Sequence, residues 1–173
     1  RFNSYAGPLT EMVNDYFGDA LTDVMPALGT HSPMSDEQLS VMFPSVPKDK
    51  FRVHDWRNDI VTVGTVPGSY VSEVSEGRLD YEMNAQVNKL LLDPSFDLIL
   101  SIGQVVPHEV IGMANYTKNI FVGVGGSDFI NKSHFIGASY GMERIMGRAK
   151  SPVRDVFEYA KVNFLKGVPI VFV

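Results

Sequence analysis

The sequence predicts an α/β domain in which a largely parallel sheet is flanked by helices in a Rossmann-like arrangement, with antiparallel strands added by the middle segment. Three observations predict it. Apolar, strand-like runs alternate with segments of helical periodicity along most of the chain. One such run, Phe96 to Val106, ends on Pro107-His108, and a second, Ile120 to Val124, ends on Gly125-Gly126 ahead of a helix start at Ser127-Asp128. Finally, 173 residues, 45% of them hydrophobic and 20% charged, are enough to bury one core.

Taken in order, Pro8-Leu9-Thr10 opens a helix to about Phe17, because Leu9, Met12, Val13, Tyr16 and Phe17 recur at helical spacing. Gly18-Asp19 stops it. The run Ala20 to Leu28 is expected as a buried strand, closed by Gly29-Thr30-His31-Ser32-Pro33. Ser35 and Gln38 form a reciprocal capping pair for a helix ending near Pro44. From Val46 to Asp59 the chain is polar and turn-rich, with His54-Asp55 beside Trp56. Ile60–Thr65 and Tyr70–Val74 alternate as strands joined by Val66-Pro67-Gly68. Asn84–Leu92 fits a short helix or a strand followed by a turn, and periodicity does not decide. Asp93-Pro94 leads into the Phe96–Val106 strand. Ser139–Arg148 and Val153–Val162 are expected as helices, the second begun by Ser151-Pro152. Val168 to Val173 is expected as a strand in or beside the sheet, since so apolar a run makes a hazardous loose tail. The chain is therefore expected to be a single α/β domain, residues 1–173, from a longer protein, and the family resemblance given below implies that it is the N-terminal part of a two-domain one.

Composition excludes several functions. A net charge of −5 leaves no basic footprint for nucleic acid. No apolar run is long enough to span a bilayer, and no leader pattern is recognised, so the expected compartment is the cytoplasm. With no cysteine there is no disulfide, thiolate metal site or cysteine nucleophile.

What remains for chemistry is four histidines and one lysine. His31 and His108 share a context of apolar strand, small turn residues, histidine, then a turn or helix. In a parallel sheet both emerge at one edge, where two groups titrating near neutrality suit acid–base work on the two faces of a carbon. The alternative for each is a loop histidine bonded to nearby backbone. His134 follows Ser127 by two helical turns, about 10 Å along the axis; it can serve as a metal ligand or be a partly buried helical histidine. His54-Asp55 is an orienting pair or, more simply, a structural turn. Lys118 precedes an apolar run, where a lysine is either solvated or, if desolvated, a nucleophile or covalent anchor. Gly125, Gly126 and Ser127, at a helix start, can present backbone N–H groups to a phosphate. No His-x-His or His-x-x-x-His spacing supports a zinc site.

Two segments carry a resemblance. Gly29-Thr30-His31-Ser32-Pro33-Met34 resembles the Gly-Thr-His-x-Pro-Met segment of the lactate racemase family, and Gly103-Gln104-Val105-Val106-Pro107-His108 resembles its Gly-x-Val-x-Pro-His segment. Lys118, ten residues after His108, and His134, sixteen after Lys118, repeat the family's spacing of histidine, lysine and histidine. The resemblance implies a racemase or epimerase of a 2-hydroxy acid, working by proton-coupled hydride transfer through a nickel-pincer nucleotide. It implies that Lys118 tethers that cofactor, His134 binds nickel, and His31 and His108 are the paired acid/bases. Gly125, Gly126 and Ser127 would contact the cofactor, and all four side chains are expected to border one cavity. The implied partners are a small 2-hydroxy acid and the C-terminal domain of the same protein, without which this part would be inactive. Where the family carries Ser-Gly-Gly-x before the lysine, this chain has Ala114-Asn115-Tyr116-Thr117. Of the family's aspartate/arginine motif ahead of the first helix, only Arg1 could remain. The rival readings are a non-catalytic nucleotide- or anion-binding domain and a zinc-dependent hydrolase.

Overall fold

A computed structural model describes residues 5–173; Arg1 lies outside the described residues. The protein is mixed α/β, with helices α1 (Ala6–Phe17), α2 (Asp36–Met42), α3 (Gly68–Val74), α4 (Ser127–Tyr140), α5 (Met142–Ile145) and α6 (Pro152–Phe164). The strands are β1 (Ile60–Val66), β2 (Met83–Asn88), β3 (Ile99–Ser101), β4 (Pro107–His108), β5 (Gly112–Met113) and β6 (Ile170–Phe172). They pair two by two: β1 with β2 and β4 with β5 antiparallel, β3 with β6 parallel. The middle segment thus supplies antiparallel strands as expected, and the parallel component is one short pair.

The core lies between β2, α4 and α6. Met83, Ala85 and Val87 of β2 are fully buried, alternating with polar neighbours as a one-faced strand requires. Against them stack Phe121, Phe129 and Phe157, with ring centroids 5.1–5.9 Å apart. These tilted and stacked aromatic contacts add to the burial of three large side chains. β1 bends at a bulge between Thr62 and Gly64, where a side chain on Gly64 would strike the Phe164 ring.

Several local expectations hold. Ser35 and Gln38 form both bonds of the capping box. Ser151 caps α6, with Pro152 as its first residue. Asn84–Leu92 resolves as strand then turn, and Val168–Val173 contributes a strand beside β3.

Others are corrected. Ala20–Leu28 is not a strand: it makes one bridge, Val24 to Phe51, because its neighbour is a tight turn at Lys48–Lys50. Tyr70–Val74 is α3, since Pro67 sets the entry and Tyr70, Val71 and Val74 fall on one helical face. The Phe96–Val106 strand shrinks to β3 because β6 offers only three residues to pair with. Ile120–Val124 is a π turn, Asn119–Gly123, for which no neighbouring strand offers a ladder. Ser139–Arg148 divides at Gly141, whose φ of 103° ends α4.

Candidate active site

The parallel pair ends at Ser101 and Phe172, and the turn carrying Lys118 is bound to the backbone just beyond those ends. Asn115 donates its side-chain amide to the carbonyls of Gly103 (2.9 Å) and Val173 (3.1 Å). Its carbonyl oxygen accepts from Asn119 at 2.7 Å. A Cβ on Gly103 would come within 2.4 Å of that same oxygen, so the close approach requires glycine there. Lys118 leaves this turn at the start of the π turn.

The loop of His31 is held to the far end of the π turn. It is pinned two residues before His31, where Gly29 donates to the carbonyl of Gly123 at 2.7 Å. Gly29 has a φ of 61°, and a side chain there would press on the carbonyl of Val122. His31 itself is exposed.

His108 ends the first strand of the β4–β5 hairpin. Its Nδ1 accepts from the backbone N–H of Val110 at 3.1 Å, and Glu109 Oε2 lies 3.7 Å from the same atom. The hairpin packs on α4 where Val110 meets Gly137, one turn beyond His134. His134 Nδ1 lies 2.6 Å from the carbonyl of Ile130. A carbonyl only accepts, so Nδ1 donates, and the neutral ring carries its lone pair on Nε2. That is the tautomer a metal-binding histidine needs, with its second nitrogen already held.

Glu109, 3.7 Å from His108, was not picked out by sequence reasoning. A bond from its own backbone N–H holds its carboxyl below the usual range, helped by the charges of His108, Lys118 and His134, while burial opposes the shift. Three of the residues read from sequence therefore lie within electrostatic reach of one carboxylate. The only sequence signal was its place directly after His108.

The glycine turn is differently disposed. Gly125 and Gly126 are buried. The carbonyl of Gly125 accepts from His54, a Cβ on Gly126 would strike Gln86, and the N–H of Asp128 is taken by Gln86 Oε1. The pair packs α4 onto β2, leaving partly exposed Ser127 as the member nearest solvent. Two cavities lie elsewhere, and none of His31, His108, Lys118 or His134 lines either. One of about 30 Å³ lies beside His54; the other, about 310 Å³, lies between α1 and β3. Among the described residues no three His, Asp or Glu side chains are grouped to hold a metal by themselves.

Comparison with known proteins decides the family. The lactate racemase N-terminal domain family matches residues 4–144. This chain belongs to that family. Among solved structures, this lactate racemase-family chain is similar to a protein from Thermotoga maritima, with 26% identity over 86% of this chain and a TM-score of 0.76. It also shares its fold with the lactate racemase apoprotein from Thermoanaerobacterium thermosaccharolyticum, at 22% identity over 96% of the chain and a TM-score of 0.64. It spans 37% and 38% of those two chains. No curated protein matches. Among the described residues no helix is long and apolar enough to cross a membrane.

Proposed function

We propose that this chain is the N-terminal, cofactor-side part of a 2-hydroxy acid racemase or epimerase, completed by a further domain of the same protein. Family membership supports the racemase reading, and the observation that carries it to these residues is that the hairpin holding His108 packs on α4 one turn beyond His134, with Glu109 beside His108 in the field of Lys118 and His134. The residues fit a nickel-pincer nucleotide: a histidine whose free lone pair is on Nε2 supplies one donor, which suits a metal whose remaining donors come with the cofactor. His134 would hold the nickel, Lys118 would carry the tether, and Ser127 would be the residue of the glycine turn left to contact the cofactor. When bound, that group supplies a reversible acceptor for the hydride of the substrate's 2-carbon.

The chain's own residues handle protons. One histidine takes the hydroxyl proton as the 2-carbon becomes planar, and the other returns a proton when the opposite face is reduced. His108 has two competing partners at Nδ1. Val110 N–H favours a neutral ring with the hydrogen on Nε2, suited to holding a substrate oxygen. The Glu109 carboxylate favours hydrogen on Nδ1, which frees Nε2 to act as a base. His31, exposed on its pinned loop, is the candidate for the opposite face.

The test is the intact mass of the full-length protein made in cells that synthesise the cofactor. An adduct on Lys118, nickel rather than zinc in the purified protein, and racemisation of a member of a 2-hydroxy acid panel are expected. Lys118→Ala should remove both adduct and turnover. Racemisation at the wild-type rate by that variant would overturn the anchor assignment.

A further inference from the structure

Two consecutive residues ahead of Lys118 adopt the left-handed backbone conformation without being glycine: Asn115 (φ 70°) and Tyr116 (φ 61°). A side chain makes that conformation costly, and tyrosine has no short polar group to relieve it locally. Such a turn persists only where its surroundings over-determine it. Here the surroundings come from one face of α6. Arg154 donates from Nη2 to the carbonyl of Met113, and from Nη1 to Thr117 Oγ1 at 2.8 Å, with the carbonyl of Asn115 at 3.5 Å. One turn on, Glu158 accepts from the fully buried Thr117 hydroxyl at 2.9 Å. Lys161 donates to the Tyr116 hydroxyl at 2.8 Å, while the Tyr116 ring packs on Phe172 of β6 with centroids 4.1 Å apart.

Arg154 reaches both sides of the left-handed pair and is itself partly buried, which pushes its guanidinium pKa down, with Glu158 and Tyr116 opposing the shift. A charge kept there at that cost needs acceptors, and the three it reaches are backbone or side-chain oxygens of residues 113–117. Lysine, a point charge, cannot bridge them as a planar fork does.

We infer that Arg154 is a positioning residue: by bridging Met113 and Thr117 across the left-handed Asn115–Tyr116 pair, it fixes where Lys118 is presented. Its importance for tethering rests on the role proposed above for Lys118; the positioning does not, and its test is made without cofactor.

The experiment measures acetylation of Lys118 in the cofactor-free, full-length protein by an N-hydroxysuccinimide ester, read by peptide mass spectrometry against the other lysines. Losing charge-assisted bonds shifts a local opening equilibrium by about tenfold, so Arg154→Met should raise Lys118 labelling by about that factor while the lysines other than Lys161, which is bonded to Tyr116, stay unchanged. Tyr116→Gly removes the backbone cost, and in the Arg154→Met background it should bring labelling back towards the wild-type rate. Should Arg154→Met not fold, Arg154→Lys should show the same selective rise, smaller in size, and the same reversal by Tyr116→Gly. A labelling change shared equally by all lysines, or a selective rise that Tyr116→Gly leaves untouched, would overturn the inference.

Discussion

A buried histidine with both ring nitrogens committed ties its protonation to the fold. His54 Nε2 donates to the carbonyl of Gly125 at 3.0 Å, and Nδ1 accepts from the Asn88 amide at 3.0 Å. Asn88 Oδ1 already accepts from Leu90 N–H, so the amide cannot reverse without losing that bond. Burial pushes the His54 pKa down; the Gly125 carbonyl, Asp55 and Asp59 pull the other way without overcoming it. The unfolded chain therefore takes up this proton first. The stabilisation is fully present above the unfolded value of about 6.5 and is lost as pH falls below it. Thermal unfolding at pH 7.5 and 5.5 should show a lower Tm at the lower pH, and a smaller drop in His54→Gln, which has no such proton to take up. Equal drops in the two proteins would exclude His54 as the titrating group.

At the scale of elements, stability and legibility separate along the same line. Ser151 accepts from Arg154 N–H and donates to the carbonyl of Ile111, so it begins α6 and fastens it to the hairpin. Ser151→Ala should cost about 1–2 kcal/mol, lowering Tm by about 3–6 °C; an unchanged Tm would mean water replaces both bonds. Signals as local as this cap or the Ser35–Gln38 pair could be read from the sequence, because both partners lie within three residues. Tyr70–Val74 was read as a strand because valine and tyrosine are common in strands, although Pro67 and the one-faced spacing of Tyr70, Val71 and Val74 fit the helix that packs on α6. The length of β3 was set by β6, about seventy residues later. The candidate site divides similarly. His108, Lys118 and His134 were singled out by a spacing that resembles the family's, and their roles are those proposed above. Glu109 and Arg154 were not, because each acts across a tertiary contact that no spacing encodes. The Gly125-Gly126 pair suggested a phosphate cradle, but its carbonyl and its bare Cα face His54 and Gln86.

For the molecule as a whole, α4 carries the fold on one face and the candidate metal ligand on another. Phe129 and Ile136 are fully buried against β2 and α6, whereas His134 is only partly buried and its Nδ1 donates to a carbonyl of its own helix. Core and site can therefore be lost separately in one direction and not in the other. Phe129→Ala removes a ring from the Phe121–Phe157 stack and should cost about 3–5 kcal/mol. Since the hairpin rests on α4 at Gly137, disturbing that helix also disturbs the setting of His108. His134→Ala leaves the stack intact and should change stability by no more than about 1 kcal/mol. Measured on the full-length protein, nickel content should fall in both variants, and the Tm of the cofactor-free protein should fall only in Phe129→Ala. If His134→Ala unfolds at the temperature of Phe129→Ala, the histidine is part of the core and its nickel role fails. If it keeps both its Tm and its nickel, the metal has another ligand.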